Sequence, residues 1–277
     1  MGGIDHLTIS RLGADDAREA LLLSEEAHWN QNEADWRFFL TKGTVFGIRD
    51  GDDCLIATAA LLPYTSGNAW ISMVLVTQSC RRRGLATKLL DACLEAARKQ
   101  GLTTWLDATP AGATVYGPLG FTPTLELRRL RFAGSTSPAT TKPKPAPNSR
   151  HDDLIARDHS AMGFDRSVLL RELGGRSGSQ LVSHGGAMGL IRDGRTARQI
   201  GPLFADHVDS ATALIETIAQ AETGPILIDV VNEHGEFIKN LTNSGWTVER
   251  PFQRMRFGRA TAQNAELPFA VAGPEYG

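Results

Sequence analysis

Neither sign of charge is in excess in this sequence. Its 29 Lys and Arg nearly cancel its 31 Asp and Glu, for a formal net charge of -2. That balance gives no electrostatic reason to expect nucleic acid or an anionic membrane as a partner. No apolar run is long enough to span a bilayer. The opening Met-Gly-Gly-Ile-Asp-His lacks the basic region and apolar stretch of a secretory signal. Cysteine is scarce: Cys54, Cys80 and Cys93 are odd in number and have no metal-like spacing, so free thiols in a reducing compartment are expected. The seven histidines show neither H-x-x-x-H nor H-E-x-x-H spacing, and no metal is expected. A G-x-G-x-x-G fingerprint is missing, as is a Gly-Lys-Ser/Thr loop, which excludes the Rossmann and Walker readings. These absences point to a cytoplasmic protein with no nucleic acid, membrane or metal partner, and they leave the chemistry open.

What is present is enough chain for two domains: 277 residues, 42% apolar and 22% charged. Between Gly134 and Ser149 the sequence reads GSTSPATTKPKPAPNS, without a large apolar residue. Proline removes donors and favours extended backbone, so this stretch cannot build a core and reads as a linker. The expected domains are 1–133 and 151–277, joined by 134–150. The first half alternates strands and helices. Helical spacing covers Asp15 to Ala27 and Glu33 to Lys42, and strands are expected at His6 to Arg11, Thr44 to Arg49, Cys54 to Pro63, Ala69 to Val76 and Thr103 to Ala108. Leu85 to Gln100 is a strongly amphipathic helix with Gly101 at its C-cap. A short helix then runs to about Leu119, followed by a long strand from Phe121 to Phe132. The second half repeats this plan. Gly120-Phe121-Thr122 is echoed by Gly245-Trp246-Thr247, Arg129-Leu130-Arg131-Phe132 by Arg254-Met255-Arg256-Phe257, and Trp105-Leu106-Asp107 by Leu227-Ile228-Asp229. Ile71-Ser72-Met73 is likewise echoed by Ile200-Gly201-Pro202. Echoes in the same order favour two copies of one fold.

The most informative stretch is WISMVLVTQSCRRRGLAT, Trp70 to Thr87. It reads as a buried strand, a tight loop and a helix start. The first-turn N–H groups of a helix have no internal partners and sit at the positive end of its dipole. Gly84 and Ala86 let that backbone approach an anion, and Arg81, Arg82 and Arg83 can add charge. The arrangement suits a pyrophosphate. The same loop could be a solvated basic turn, and Tyr116 could be a core aromatic on a short helix.

Val76 followed by Arg81-x-x-Gly84-x-Ala86, with Tyr116-Gly117-Pro118-Leu119-Gly120-Phe121 further on, resembles the GNAT acetyltransferase superfamily. The chain looks most like the bacterial tandem-GNAT proteins, through Trp29-Asn30-Gln31 with Asp35-Trp36, Leu106 to Gly112, Gly163-Phe164-Asp165-Arg166, and Arg254 to Gly258. The resemblance implies an α/β (α+β) fold of two tandem domains, each a mixed, mostly antiparallel twisted sheet flanked by helices, with a splayed central strand pair. It implies that pantetheine of the co-substrate acetyl-CoA lies along the main chain of Val74, Leu75 and Val76, that the segment from Arg81 through Leu85 to Thr87 holds the pyrophosphate, and that Tyr116 is the general acid toward the sulfur. Trp29, Asn30 and Gln31 fall where the family's substrate loop lies, and Glu26 and Ser72 join them as substrate candidates. Relatives often carry an Asn seven residues before the tyrosine on the cofactor arm. Here that position is Thr109, which weakens the contact.

The general base is less defined. The central strand offers no carboxylate, leaving Glu25, Glu26, His28 and Asp107. Asp107 sits in an apolar strand where an ionised carboxylate needs a partner. Main-chain donors near Pro110 to Gly112 and a substrate contact are both open. The second half carries Asp206-His207-Val208-Asp209-Ser210 in place of the loop, and its aspartates would repel a pyrophosphate, so no acetyl-CoA is expected there. The expected activity is N-acetylation of a primary amine on a small molecule, by direct attack in a ternary complex. The competing readings are a protein lysine or N-terminal acetyltransferase and a non-catalytic acyl-CoA-binding protein. The sequence leaves a homodimer open.

Overall fold

A computed structural model describes residues 8–135, 149–259 and 266–277. Most of the expected linker, and the start of the expected first strand at His6, lie outside the described residues. By compactness the chain divides into two units, one running to Leu106 and including Arg256–Gly258, the other comprising Asp107–Met255 and Arg259–Gly277. These units follow neither half of the sequence duplication, because the last strand of each repeat contributes to unit 2.

Unit 1 is built from β1 (Ile9–Arg11), α1 (Ala17–Glu26), α2 (Glu33–Lys42), β2 (Thr44–Arg49), β3 (Leu55–Pro63), β4 (Asn68–Val76), α3 (Leu85–Lys99) and the first residues of β5 (Thr103–Ala108). Its strands lie in the order β1-β2-β3-β4-β5, antiparallel as far as β4 and parallel between β4 and β5. Local chemistry sets the helix ends. Asn32 caps α2 by accepting from the Asp35 N–H, while the Asp35 carboxylate accepts from the Asn32 N–H, a reciprocal capping box. Gly101 stands at φ +66 after α3, and the Leu102 N–H returns to the Ala97 carbonyl, so the glycine closes the helix. The apolar stripe of α3, with Leu85, Leu89, Leu90, Cys93 and Ala97, is buried.

Unit 2 holds α4 (Pro110–Tyr116), β6 (Thr122–Phe132), α5 (Ser149–Met162), α6 (Ser167–Gly175), β7 (Gln180–His184), β8 (Ala187–Asp193), β9 (Arg198–Phe204), α7 (Val208–Ala221), β10 (Ile226–Val231), α8 (Gly235–Asn243) and β11 (Thr247–Phe257) as far as Met255. The strand order is β11-β6-β10-β9-β8-β7, with β9 and β10 parallel. One core cluster packs Leu130, Ile200, Leu214, Ile228, Phe237 and Trp246.

The two repeats match in register as well as in sequence. Between β3 and β4 the pairing jumps from Thr58↔Leu75 to Ala60↔Ser72, and between β8 and β9 from Gly189↔Leu203 to Ile191↔Ile200. Each jump inserts one extra residue into the later strand, a β-bulge at the same place in both copies. In that register Ser72 corresponds to Ile200, one residue off the echo of Ile71-Ser72-Met73 in Ile200-Gly201-Pro202.

Candidate active site

The site's first element is the strand-loop-helix of unit 1. The parallel ladder of β4 and β5 pairs Asn68↔Thr103, Ala69↔Thr104 and Trp70↔Trp105, and runs no further. The two indoles stack at that last pair, 6.4 Å between centroids, and the Trp105 Nε1–H donates to the Asn68 side chain at 2.9 Å. Beyond them β4 bulges. Met73 adopts φ +52, and its carbonyl accepts from the Thr58 hydroxyl at 2.9 Å. Val74 and Val76 follow, half-buried. A strand that loses its neighbour offers main-chain groups to an extended ligand, the physics of strand addition.

The loop after β4 is fixed from two sides. Glu26, at the end of α1, accepts from the Thr77 hydroxyl at 2.7 Å and from the Gln78 N–H at 2.6 Å. Its carboxylate therefore clamps the loop, while the side chain stays exposed. Arg81 turns back, its Nε–H donating to the Val76 carbonyl at 3.0 Å. Arg82 at φ +60 and Gly84 at φ +78 then bend the backbone through left-handed conformations into the start of α3. A Cβ on Gly84 would meet nothing within 4 Å, so glycine is favoured there by its φ alone. The first intrahelical bond runs from the Lys88 N–H to the Gly84 carbonyl. The N–H groups of Leu85, Ala86 and Thr87 thus precede the helical ladder. Gly84, Arg82 and Arg83 are exposed. First-turn main-chain donors at the positive end of a 15-residue helix, preceded by exposed arginines and a glycine, fit a pyrophosphate.

The remaining unit 1 candidates are partly inward. Asn30 and Gln31 are buried and Trp29 is half-buried, in the turn between α1 and α2. Gln31 Oε1 and Ser72 Oγ are buried polar atoms with no hydrogen-bond partner. Such atoms cost stability unless a partner arrives, and they are the candidates here that a substrate would satisfy.

In unit 2, α4 opens on Thr109, whose hydroxyl accepts from the Gly112 N–H at 3.2 Å. Thr109, expected as a cofactor contact, also serves as the N-cap of α4. Pro118 lies in the turn that ends α4 after Tyr116. The half-buried Tyr116 ring lies 5.9 Å from Phe121, and a Cβ on Gly112 would come within 3.0 Å of it, so Gly112 makes room for the ring. Beside α4 is a cavity of about 480 Å³ lined by Ala113, Phe121, Phe252 and Met255, with Glu126 and Arg128 as charged members. Glu126 and Arg128 escaped the sequence reading. Their signal was two like-facing charged positions on β6, close after the tyrosine.

Asp107 takes a partner the sequence did not suggest. Arg254 Nε and Nη2 donate to its two oxygens at 2.8 and 2.9 Å. Burial pushes its carboxyl pKa up and the guanidinium pulls it back, burial being the larger influence. A raised pKa would suit a base, and against that role both oxygens accept from Arg254 and the side chain is fully buried. Its sequence echo behaves alike. Asp229 accepts from Arg129 Nε and Nη2 at 2.8 and 2.9 Å, and from Gln199 at 2.9 Å. Each repeat's buried aspartate is neutralised by the arginine on the other repeat's last strand.

All three cysteines are free. Burial raises the Cys93 thiol to about 12, leaving roughly one thiolate in 10⁴ at pH 8. Iodoacetamide at pH 8 is expected to label exposed Cys54 and leave Cys93 intact until the chain unfolds, as read by peptide mass. Among the described residues no cluster of three or more His, Cys, Asp or Glu could hold a metal, and no helix is long and apolar enough to cross a membrane.

Comparison with known proteins bears on both repeats. The Acetyltransferase (GNAT) family matches residues 14–121, and the Acetyltransferase (GNAT) domain matches residues 154–270. A Bacillus subtilis (strain 168) protein, the uncharacterized N-acetyltransferase YitH, is 26% identical over 236 residues, 82% of this chain and 83% of its own. A crystal structure from Pyrococcus horikoshii superposes with a TM-score of 0.79 at 18% identity, over 100% of this chain and 98% of its own. A tandem GNAT protein from the clavulanic acid biosynthesis pathway superposes with a TM-score of 0.64 at 14% identity, over 92% of this chain and 100% of its own. Two matched domains, the bulged and splayed strand pair, and the glycine-capped helix start identify this chain as a tandem member of the GNAT acetyltransferase family.

Proposed function

We propose that this enzyme moves an acetyl group from acetyl-CoA to a primary amine of a small molecule in the cytoplasm. The observation that carries the reading is the end of the β4–β5 ladder at Trp70/Trp105, followed by a helix start whose first-turn N–H groups precede the intrahelical ladder, behind the exposed Arg82, Arg83 and Gly84. Main-chain groups of Val74 to Val76 would take the pantetheine, and the backbone of Arg82 to Thr87 the pyrophosphate. The acceptor must be neutral to attack, since an alkylammonium with a pKa of about 10 has no lone pair. Its nitrogen bonds to the thioester carbon, and a main-chain N–H of β4 stabilises the oxyanion. Collapse to the amide breaks the carbon–sulfur bond. The Tyr116 hydroxyl gives its proton to the departing thiolate, and the nitrogen's surplus proton leaves through solvent. The cavity beside α4 supports a small-molecule acceptor over a protein. Its volume is in the range of small-ligand sites, and its apolar wall with one carboxylate and one guanidinium suits an amine with an apolar portion.

The second repeat is proposed to bind no acetyl-CoA. At the start of α7 it carries Asp209, and Asp206 just before pairs with Arg157 at 3.2 Å. Calorimetric titration with acetyl-CoA is expected to saturate at one site per chain. Gly84→Glu places a carboxylate where phosphate should bind and is expected to weaken binding at least a hundredfold in a chain whose circular dichroism is unchanged. A Gly84→Glu protein that binds normally would refute the cradle.

A further inference from the structure

The sequence reading left two features of unit 2 without a role: the Phe164-Asp165-Arg166 segment and the residues after Glu266. Each bears on the second splayed strand pair. The parallel ladder of β9 and β10 pairs Arg198↔Ile226, Gln199↔Leu227 and Ile200↔Ile228, then ends, as its counterpart does in unit 1. Here the gap is filled by the chain itself. The Leu203 N–H donates to the Ala270 carbonyl at 2.9 Å, and the Phe269 N–H to the Leu203 carbonyl at 2.8 Å. On the other side the Val271 N–H donates to the Asp229 carbonyl and the Val231 N–H to the Phe269 carbonyl, both at 3.0 Å. Ala270 bridges antiparallel to Leu203 and to Val230 at once. The segment is hydrogen-bonded to both splayed strands, as an added strand would be.

Side chains fasten it along its length. Phe269 and Ala270 belong to the main core of unit 2, and Val271 packs with Leu127, Val231 and Phe252. The His234 ring stacks on Phe269 at 4.0 Å and donates from Nε2 to the Pro268 carbonyl at 3.1 Å. Farther on, Arg192 donates to Glu275 at 3.1 Å and lies 5.7 Å from the fully buried Tyr276 ring. Arg166 grips the Asp158 carboxylate with one edge and the carbonyls of Tyr276 and Gly277 with the other. Gly201 completes the fit, because a Cβ there would lie 1.9 Å from the Val271 carbonyl oxygen.

We propose that the second cleft is a peptide-binding site whose ligand is the chain's own segment Phe269–Gly277, held in the position that an acyl-CoA arm takes in the first cleft. The comparison with the first cleft rests on the acetyl-CoA reading above. The Arg166 segment is part of the receptor, and the repeat is closed to cofactor by occupancy as well as by the missing cradle. One extended ligand, the peptide, has replaced another, the pantetheine.

Hydrogen exchange on the full chain tests this. The amides of Leu203, Val231, Phe269 and Val271 are expected to exchange more than about a thousandfold slower than unstructured amides, and to stay slow when acetyl-CoA is saturating. Fast exchange at Phe269 and Val271 overturns the proposal. So does a second equivalent of acetyl-CoA that releases their protection. Val271→Pro removes the donor to Asp229 and is expected to cut protection at Leu203 and Val231 at least tenfold while that of Leu181 in β7 holds. Unchanged protection at Leu203 and Val231 would refute the occupant. If Val271→Pro does not fold, exchange in the unaltered chain still decides. Acetyl-CoA that gives no heat at all counts against the first cleft's reading and leaves the exchange result intact.

Discussion

Tyr116→Phe is expected to lower kcat by about 10²- to 10⁴-fold while the Kd for acetyl-CoA stays within about twofold. The change removes one oxygen and keeps the ring, which packs against Phe121 and above Gly112, so α4 should hold its shape. A thiolate leaving group needs a proton or a strong dipole as the carbon–sulfur bond breaks. A phenol hydroxyl placed beside the sulfur can supply that proton. The rate should be read by thiol release, with whichever amine performs best in an acceptor screen. The split between kcat and the Kd for acetyl-CoA separates a chemical role from a packing one. Equal turnover in the two proteins would remove Tyr116 from the chemistry and return it to the packing of α4.

Arg129→Met is expected to destabilise unit 2 by about 3–5 kcal/mol, because it leaves the Asp229 carboxylate buried without its counter-charge. For a body of this size that is a fall of roughly 6–20 °C in Tm. The arginine also lies 5.1 Å from the Phe252 ring, so some packing is lost as well. A double variant, Arg129→Met with Asp229→Leu, should recover most of the loss. Removing both ends of a buried pair costs far less than removing one. Urea titrations of the four proteins would close the cycle. A single variant within about 1 kcal/mol of the parent would mean that the pair is hydrated or replaceable, contrary to its burial.

Local chemistry was legible in the sequence, and non-local pairing was not. Strand β2, helix α2 and strand β5 fall where composition and spacing put them, since each is bounded by residues that act on their own backbone, such as Asn32 and Gly43. The cradle was legible for the same reason, because Arg81 to Ala86 lie within six residues of one another. Asp107 stood out as a buried carboxylate in an apolar strand, yet its partner is 147 residues away and no spacing rule reaches that far. The clamping role of Glu26 was not legible because it depends on Thr77 and Gln78, about fifty residues on. The segment from Phe269 to Gly277 gave no signal at all. Its apolar run is too short to read as a strand, and only the gap it enters makes it one. The duplication was visible as echoes, but the exchange of arginines between the repeats needed both ends of the chain folded together.

That exchange has a consequence in time. On the ribosome, Asp107 is made 147 residues before the arginine that neutralises it. At about 5–20 residues per second, its carboxylate waits roughly 7 to 30 seconds for Arg254. Until then the first repeat cannot bury that strand end without stranding a charge. Arg129, made early, likewise waits for Asp229, 100 residues on. Neither repeat can finish folding while its sister is still being translated, so the nascent chain should stay open at both aspartates and close them together, late.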